Sequence, residues 1–288
     1  MRKPNRQWLV WAVLSVMALS ALAFNVFPLK GHIPVLMYHF VVPKSQVGTT
    51  SLDVSIDNFH RQMWFLRTFG FRPISLDEFY AIKTGQAKVR GREVVITFDD
   101  GNETYIQYAL PILERYQIQS ANFLVWNFME LKQNGSMSVE DAVRISQNPL
   151  ITLGSHTLSH PNLQEISVEQ ARTEIMDSKK KLEKALNKKV HYFCYPGGSF
   201  NEITIRQIKE AGYRLAFRTA QKYSSYYPET LYSIARIKVH RRHNLFVFWL
   251  EAAGFIDYAK RMDVLFHQLT ANKVSGTLPV YKPRHEMM

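Results

Sequence analysis

Residues 94–101 read Val94-Val95-Ile96-Thr97-Phe98-Asp99-Asp100-Gly101. Five β-branched or aromatic residues in a row favour a pleated, buried surface. A continuous run of this length, bounded by turn residues, fits a strand covered on both faces, as in a parallel sheet. It stops abruptly at two carboxylates and a glycine. In parallel α/β architectures the reacting groups collect in the loops at the carboxyl ends of the strands. The octapeptide therefore points both to a fold class and to a place for chemistry.

Outward from it, strand and helix patterns alternate. Upstream, 33–38 reads as a strand, and Asp57 is expected to cap a helix carrying Phe59, Met63 and Leu66 and ending at Gly70. Ser75 with Glu78 is a capping box for a second helix that closes near Gly85. Downstream, helices are expected over 105–116, over a long stretch opened by Ser167 and Gln170, over 201–211 and over 246–269. The long helix has the stripe Val168, Ala171, Ile175, Leu182 and Leu186. Further strands are expected at 121–126, 151–153, 190–195, 215–217 and 233–239. About seven strands alternating with helices predict an α/β fold, a distorted (β/α)7-type barrel in one domain over 31–288.

Composition bounds the rest. The 288 residues are 46% hydrophobic and 21% charged, which excludes a disordered or fibrous chain. A lone Cys194 excludes an intramolecular disulfide and thiolate zinc sites, leaving His and carboxylate as metal ligands. Arg2, Lys3 and Arg6 precede an apolar run from Trp8 to Phe24, so 1–30 is expected to be a signal peptide or membrane anchor. Everything after it is then placed outside, secreted or anchored to the outer face of the membrane or wall. Taking the four positive charges of 1–30 (Arg2, Lys3, Arg6 and Lys30) from the net +12 leaves +8, which favours an anionic envelope surface. Scattered Lys and Arg without a nucleic-acid motif argue against a nucleic-acid partner. The domain is expected to be monomeric.

Three strand ends carry candidate chemistry: Asp99-Asp100-Gly101, then Gly154 to Pro161 with His156 and His160, then Pro196-Gly197-Gly198. Read as one helical turn, His156 and His160 project on one side and could share a cation; otherwise they are unrelated surface histidines. Adjacent carboxylates repel unless a cation or a proton role compensates, although Asp-Gly is also an ordinary turn. One Asp as ligand and its neighbour as general base suits metal-assisted hydrolysis.

Thr97-Phe98-Asp99-Asp100-Gly101 with Ser155-His156-Thr157-Leu158-Ser159-His160-Pro161 resembles the first two motifs of the NodB-like polysaccharide deacetylases, carbohydrate esterase family 4. Phe193-Cys194-Tyr195-Pro196-Gly197-Gly198 resembles the third, and Ile33 to His39 is similar to the opening of the intercellular-adhesin branch, which deacetylates poly-β-1,6-N-acetylglucosamine. The resemblance implies that Asp100, His156 and His160 hold a divalent metal, with zinc expected. Asp99 would be the general base toward the attacking water. The backbone N–H of Gly197 would face the oxyanion, and His39 would protonate the leaving amine, acting near its ordinary pKa.

Two departures matter. Cys194 occupies the position where many relatives carry the arginine that orients the base; Arg236 either supplies that guanidinium from the last strand or is a surface residue. The aspartate–tryptophan pair of the fourth motif has no match. His240 and His243, in the basic cluster 238–242, are a second choice of acid or part of a solvated patch. The expected function is an exported deacetylase of an N-acetylglucosamine polymer. Peptidoglycan is the alternative substrate, and a silent carbohydrate-binding barrel is the alternative class.

Overall fold

In a computed structural model that describes residues 33–219 and 229–255, the alternating pattern becomes ten strands and eight α-helices. The expected leader, 1–30, and the later part of the expected 246–269 helix lie outside the described residues. In chain order the elements are β1 (Val35–Tyr38), β2 (Phe40–Val42), β3 (Asp53–Ser55), α1 (Ile56–Thr68), β4 (Arg72–Pro73), α2 (Leu76–Lys83) and β5 (Glu93–Phe98). There follow α3 (Leu110–Arg115), β6 (Ser120–Leu124), α4 (Trp126–Glu130), α5 (Val139–Ile145), β7 (Ile151–Ser155), α6 (Val168–Leu186) and β8 (Tyr192–Cys194). Last come α7 (Glu202–Glu210), β9 (Leu215–Thr219), β10 (Ile234–Lys238) and α8 (Leu245–Ala252).

Seven of the strands close a parallel ring in the order β1-β10-β9-β8-β7-β6-β5, because β1 pairs with both β10 and β5. This is the barrel the alternation predicts. β4 adds to β5 outside the ring, and β2 with β3 makes a small parallel ribbon.

Strand period decides what fills the barrel. Val35, Val95, Ala121, Phe123, Leu215, Phe217 and Ile234 form an interior cluster, while Leu36, Ile96, Phe98 and Ile237 pack outward with the helices. Successive side chains alternate between faces, so Thr97 and Asp99 continue the inward row of Val95. His39 likewise continues the row of Val35, and Arg236 that of Ile234. An apolar floor thus carries a polar layer at the carboxyl ends of the strands. Phe123 fills the centre so completely that a Cβ on Gly154 would lie 2.5 Å from its ring, and only glycine fits there.

Several local expectations shift. Helix α1 is capped by Ser55, whose Oγ accepts the Asn58 N–H; Asp57 sits in the first turn instead. Ser75 accepts the Glu78 N–H, but the Glu78 carboxylate pairs with Arg72, so that box does not close. Val168 is 53% exposed at the start of α6, beyond the edge of the core, and Ser178 takes a buried place in the stripe. The expected 105–116 helix begins as a π-helical turn over Tyr105–Ala109, with α3 starting just before Pro111, which has no N–H to donate. The expected 121–126 strand ends at Leu124, and Trp126 opens α4.

Candidate active site

β5 delivers Asp99 inward and then turns. Asp100 (φ 71°) and Gly101 (φ 66°) are both left-handed, a conformation unfavourable for Asp, and a Cβ at Gly101 would press on Leu124 at 2.9 Å. The turn is held from behind by Met137, whose N–H donates to the Gly101 carbonyl at 2.9 Å, and by the Asn102 amide on the Asn134 carbonyl at 3.1 Å. The strain is carried at the residue whose carboxylate must leave the strand direction.

His156 follows β7 and is buried. Its Nδ1 lies 2.7 Å from the Cys194 carbonyl, which can only accept, so Nδ1 carries the proton and Nε2 presents a lone pair. Residues 156–160 are not a helical turn, contrary to the expectation from their spacing. They form a loop in which Thr157 (φ 72°) and His160 (φ 63°) are left-handed. The loop is fastened by Glu174 of α6, whose carboxylate accepts the N–H groups of Leu158 (2.8 Å) and Ser159 (2.9 Å) and the Ser159 hydroxyl (2.6 Å). The His160 N–H donates to Thr157 Oγ1 at 3.0 Å. An external carboxylate, and not helical hydrogen bonding, takes those N–H groups and fixes the loop.

The outcome is convergence. Asp100 Oδ1 stands 3.7 Å from His156 Nε2 and 3.6 Å from His160 Nε2, and one donor atom from each residue lies within 4.8 Å of the others. Two ligands about 2.1 Å from a tetrahedral ion stand roughly 3.4 Å apart, so the donor set fits a small divalent cation. The electrostatics agree. Burial and the neighbouring Asp99 push the Asp100 carboxyl up to about 7, and burial lowers His156 to about 3, outweighing the upward pull of Asp99 and leaving a neutral imidazole.

Below this triad lies the carboxylate of Asp99, 3% exposed, gripped by Arg236, 1% exposed. The guanidinium is bidentate: Nη1 to Oδ1 at 2.7 Å and Nη2 to Oδ2 at 2.6 Å. It also donates to Thr97 Oγ1 at 3.1 Å and lies 3.0 Å from Cys194 Sγ. Burial works to raise Asp99, but Arg236 overrides it and holds the carboxyl far below the usual carboxylate range. Of the two readings left open for Arg236, the surface one is excluded. Cys194 leaves room for it: a thiol is smaller than the arginine expected there, and burial keeps it protonated.

His39 Nε2 is 3.8 Å from Asp99 Oδ2. Its ring is not near its ordinary pKa; burial lowers it to about 4, so it is neutral at pH 7. Gly197 lies in the turn Pro196–Gly198 at the carboxyl end of β8, at φ 59°, and a Cβ there would meet nothing within 4 Å. Gly198 is different: Thr219 leaves no space for a side chain. His240 and His243 pack on each other instead of joining the triad, with His243 Nδ1 3.0 Å from Glu251 of α8.

Two contributors escaped the sequence reading. Glu174 flanks the apolar stripe of α6 and reads there as a solvated residue; nothing in its spacing marks it. Phe128 stacks on the His160 ring with centroids 6.1 Å apart, across a tertiary contact between α4 and the loop.

A parallel barrel whose mouth gathers an Asp-His-His cluster beside a guanidinium-held carboxylate defines a hydrolase that activates water for attack on a polar carbonyl. Within that class, the sequence profile of the polysaccharide deacetylase family matches residues 86–216, and the chain is a deacetylase enzyme. It is 27% identical over 207 residues to a Bacillus subtilis protein described as a polysaccharide deacetylase, YxkH, covering 72% of this chain and 71% of that one. It is 28% identical over 180 residues to the Staphylococcus aureus poly-β-1,6-N-acetyl-D-glucosamine N-deacetylase, covering 59% of this chain but only 62% of the relative's length. Among solved structures, the Streptococcus pyogenes deacetylase PplD in complex with acetate is similar, with TM-score 0.68, 26% identity, and 77% and 97% of the two chains covered.

Proposed function

We propose that this protein removes N-acetyl groups from poly-β-1,6-N-acetylglucosamine at the outer face of the cell membrane. The observation that carries the reading is the buried Asp99–Arg236 pair directly beside the Asp100–His156–His160 cluster. A divalent metal held by that cluster, zinc by its His-His-carboxylate set, supplies Lewis acidity toward water and the acetamide carbonyl.

The chain's own residues do the rest. Asp99, kept ionised by Arg236, accepts the proton of the attacking water. Arg236 orients that carboxylate and does not itself touch substrate. The Gly197 N–H faces the developing oxyanion, in a turn whose missing side chain leaves room for the acetyl group. His39, neutral at rest, passes a proton to the departing amine; Asp99, 3.8 Å away, is the source of that proton. The linkage rests on the staphylococcal relative and on the opening 33–39. The location rests on the apolar run 8–24 and the positive charge.

The test is acetate release by the full chain from β-1,6-linked and β-1,4-linked N-acetylglucosamine oligomers, before and after chelation and zinc addition. Release from the β-1,6 series, abolished by chelation and restored by zinc, is expected. Release from the β-1,4 series alone would move the substrate to a peptidoglycan-type glycan. Release from neither, with metal bound, would overturn the substrate class.

A further inference from the structure

On the flank of the barrel, the outer faces of α1 and α8 share an apolar groove of about 370 Å³ lined by Trp64, Phe65, Phe69, Leu245, Phe246 and Trp249. It is open: Trp64 is 44% exposed and Phe246 65%. Large rings held this far into water are costly to solvate, and a contiguous patch of them marks an interaction surface. Nothing in the proposed chemistry uses it, because the reacting groups sit at the barrel's mouth and face inward.

The exposed charges nearest these rings along the two helices are cationic. Arg61 and Arg67 stand three residues on either side of Trp64, one helical turn away, and both are exposed. Arg242, also exposed, lies three residues before α8. Arg92 reaches under the end of α1 and donates to the Phe69 carbonyl at 2.6 Å. On the same two helices the carboxylates are remote or hidden: Asp57 is two turns from Trp64, and Glu251 is buried.

Exposed aromatic rings with arginines about one helical turn away match one partner chemistry closely. Trp and Phe settle at the boundary between headgroups and acyl chains, while guanidinium groups reach the phosphates above it. The chain also brings this flank near a membrane. Helices α1 and α8 cover the outer face of β1, since Phe59, Met63 and Phe248 pack in one cluster with Leu36 and Tyr38. From Phe24, where the apolar run ends, to Ile33, where the barrel begins, there are nine residues, which span at most about 30 Å. We propose that the α1–α8 flank is a docking surface for an anionic phospholipid bilayer. Docked this way, the barrel lies on its side and its mouth opens along the membrane surface. The proposal does not depend on the reaction assigned to the mouth.

The test uses the full chain in vesicles of phosphatidylcholine with roughly one-third phosphatidylglycerol, some of the lipid carrying a doxyl quencher. A fluorophore is placed at Thr68→Cys, exposed at the end of α1, or at Glu169→Cys, exposed on α6 across the barrel; native Cys194 is fully buried and stays unlabelled. Quenching by doxyl lipid is expected to be at least about threefold stronger at position 68 than at 169. The difference should vanish when Trp64→Asp and Phe246→Asp are introduced together and shrink in phosphatidylcholine alone. Equal quenching at the two positions overturns the proposal. So does protection of position 68 from aqueous iodide without doxyl quenching, because protein then covers the groove: residues beyond 255 or a second copy. A difference equally large in phosphatidylcholine alone overturns the anionic assignment.

Discussion

Replacing Arg236 with Met isolates what the guanidinium does for Asp99. Two charge-assisted hydrogen bonds of 2.7 and 2.6 Å would go, in a place with no water to replace them. Removing one partner of such a buried pair costs about 3–5 kcal/mol, because the other is left as an uncompensated charge. The pH dependence of the loss carries the sign. With Arg236 present, Asp99 sits below its unfolded pKa, so its contribution is complete above about pH 4 and is lost only as pH falls through the folded value. Without Arg236, burial alone governs, the folded value rises above the unfolded one, and stability then declines as pH rises. Urea denaturation of Arg236→Met from pH 4 to 8 should therefore show a deficit that grows toward pH 8. In acetate release, the acid limb should move up by at least about two pH units as the base becomes protonated. Adding Asp99→Asn should recover most of the stability, since a neutral amide tolerates the apolar site, without recovering turnover. Arg236→Lys should be intermediate in both assays, having the charge without the fork. If Arg236→Met loses under about 1 kcal/mol at pH 8 and leaves the acid limb in place, the ionisation of Asp99 does not depend on the guanidinium and the argument fails.

Asp99→Asn should keep its metal while turnover drops ~10²–10⁴-fold, whereas Asp100→Asn should lose the metal by atomic absorption. In chelator, Asp100→Asn should be more stable than the parent above pH 7 and not at pH 4, since a carboxyl raised to about 7 penalises the fold only once ionised. His156→Ala and His160→Ala should both lose metal. His156→Ala should also lower metal-free stability by about 1–3 kcal/mol more in urea titrations, because it removes a buried ring and orphans the Cys194 carbonyl. Glu174→Ala should weaken metal binding by roughly 10–100-fold in competition titrations at nearly unchanged metal-free melting temperature, and Glu174→Gln should restore part of it. His39→Ala should bind metal and glycan normally with kcat down about 10²–10⁴-fold; a loss of only a few-fold, with His240→Ala inactive, would move the acid to the last strand.

The local code was legible where the physics is local. The strand 94–98 and the closing of the Ser167–Gln170 cap follow from residue type and from hydrogen bonds made within a few residues. Motif spacing brought forward Asp99, Asp100, His156 and His160 as one candidate group because each stands at a strand end. What spacing left open was geometry between segments distant in sequence. His156 and His160 meet Asp100 through a loop tied to Glu174, not through a helical turn, and a four-residue interval cannot tell the two apart. Arg236 reaches Asp99 because β1 closes the ring between β10 and β5, setting residues 137 apart at bonding distance. The low pKa of His39 is likewise a property of burial among neighbours. Residue identity and short-range periodicity set which groups stand at the strand ends. Only closure of the barrel decided which of them touch, because desolvation and hydrogen-bond direction exist only once the strands are side by side.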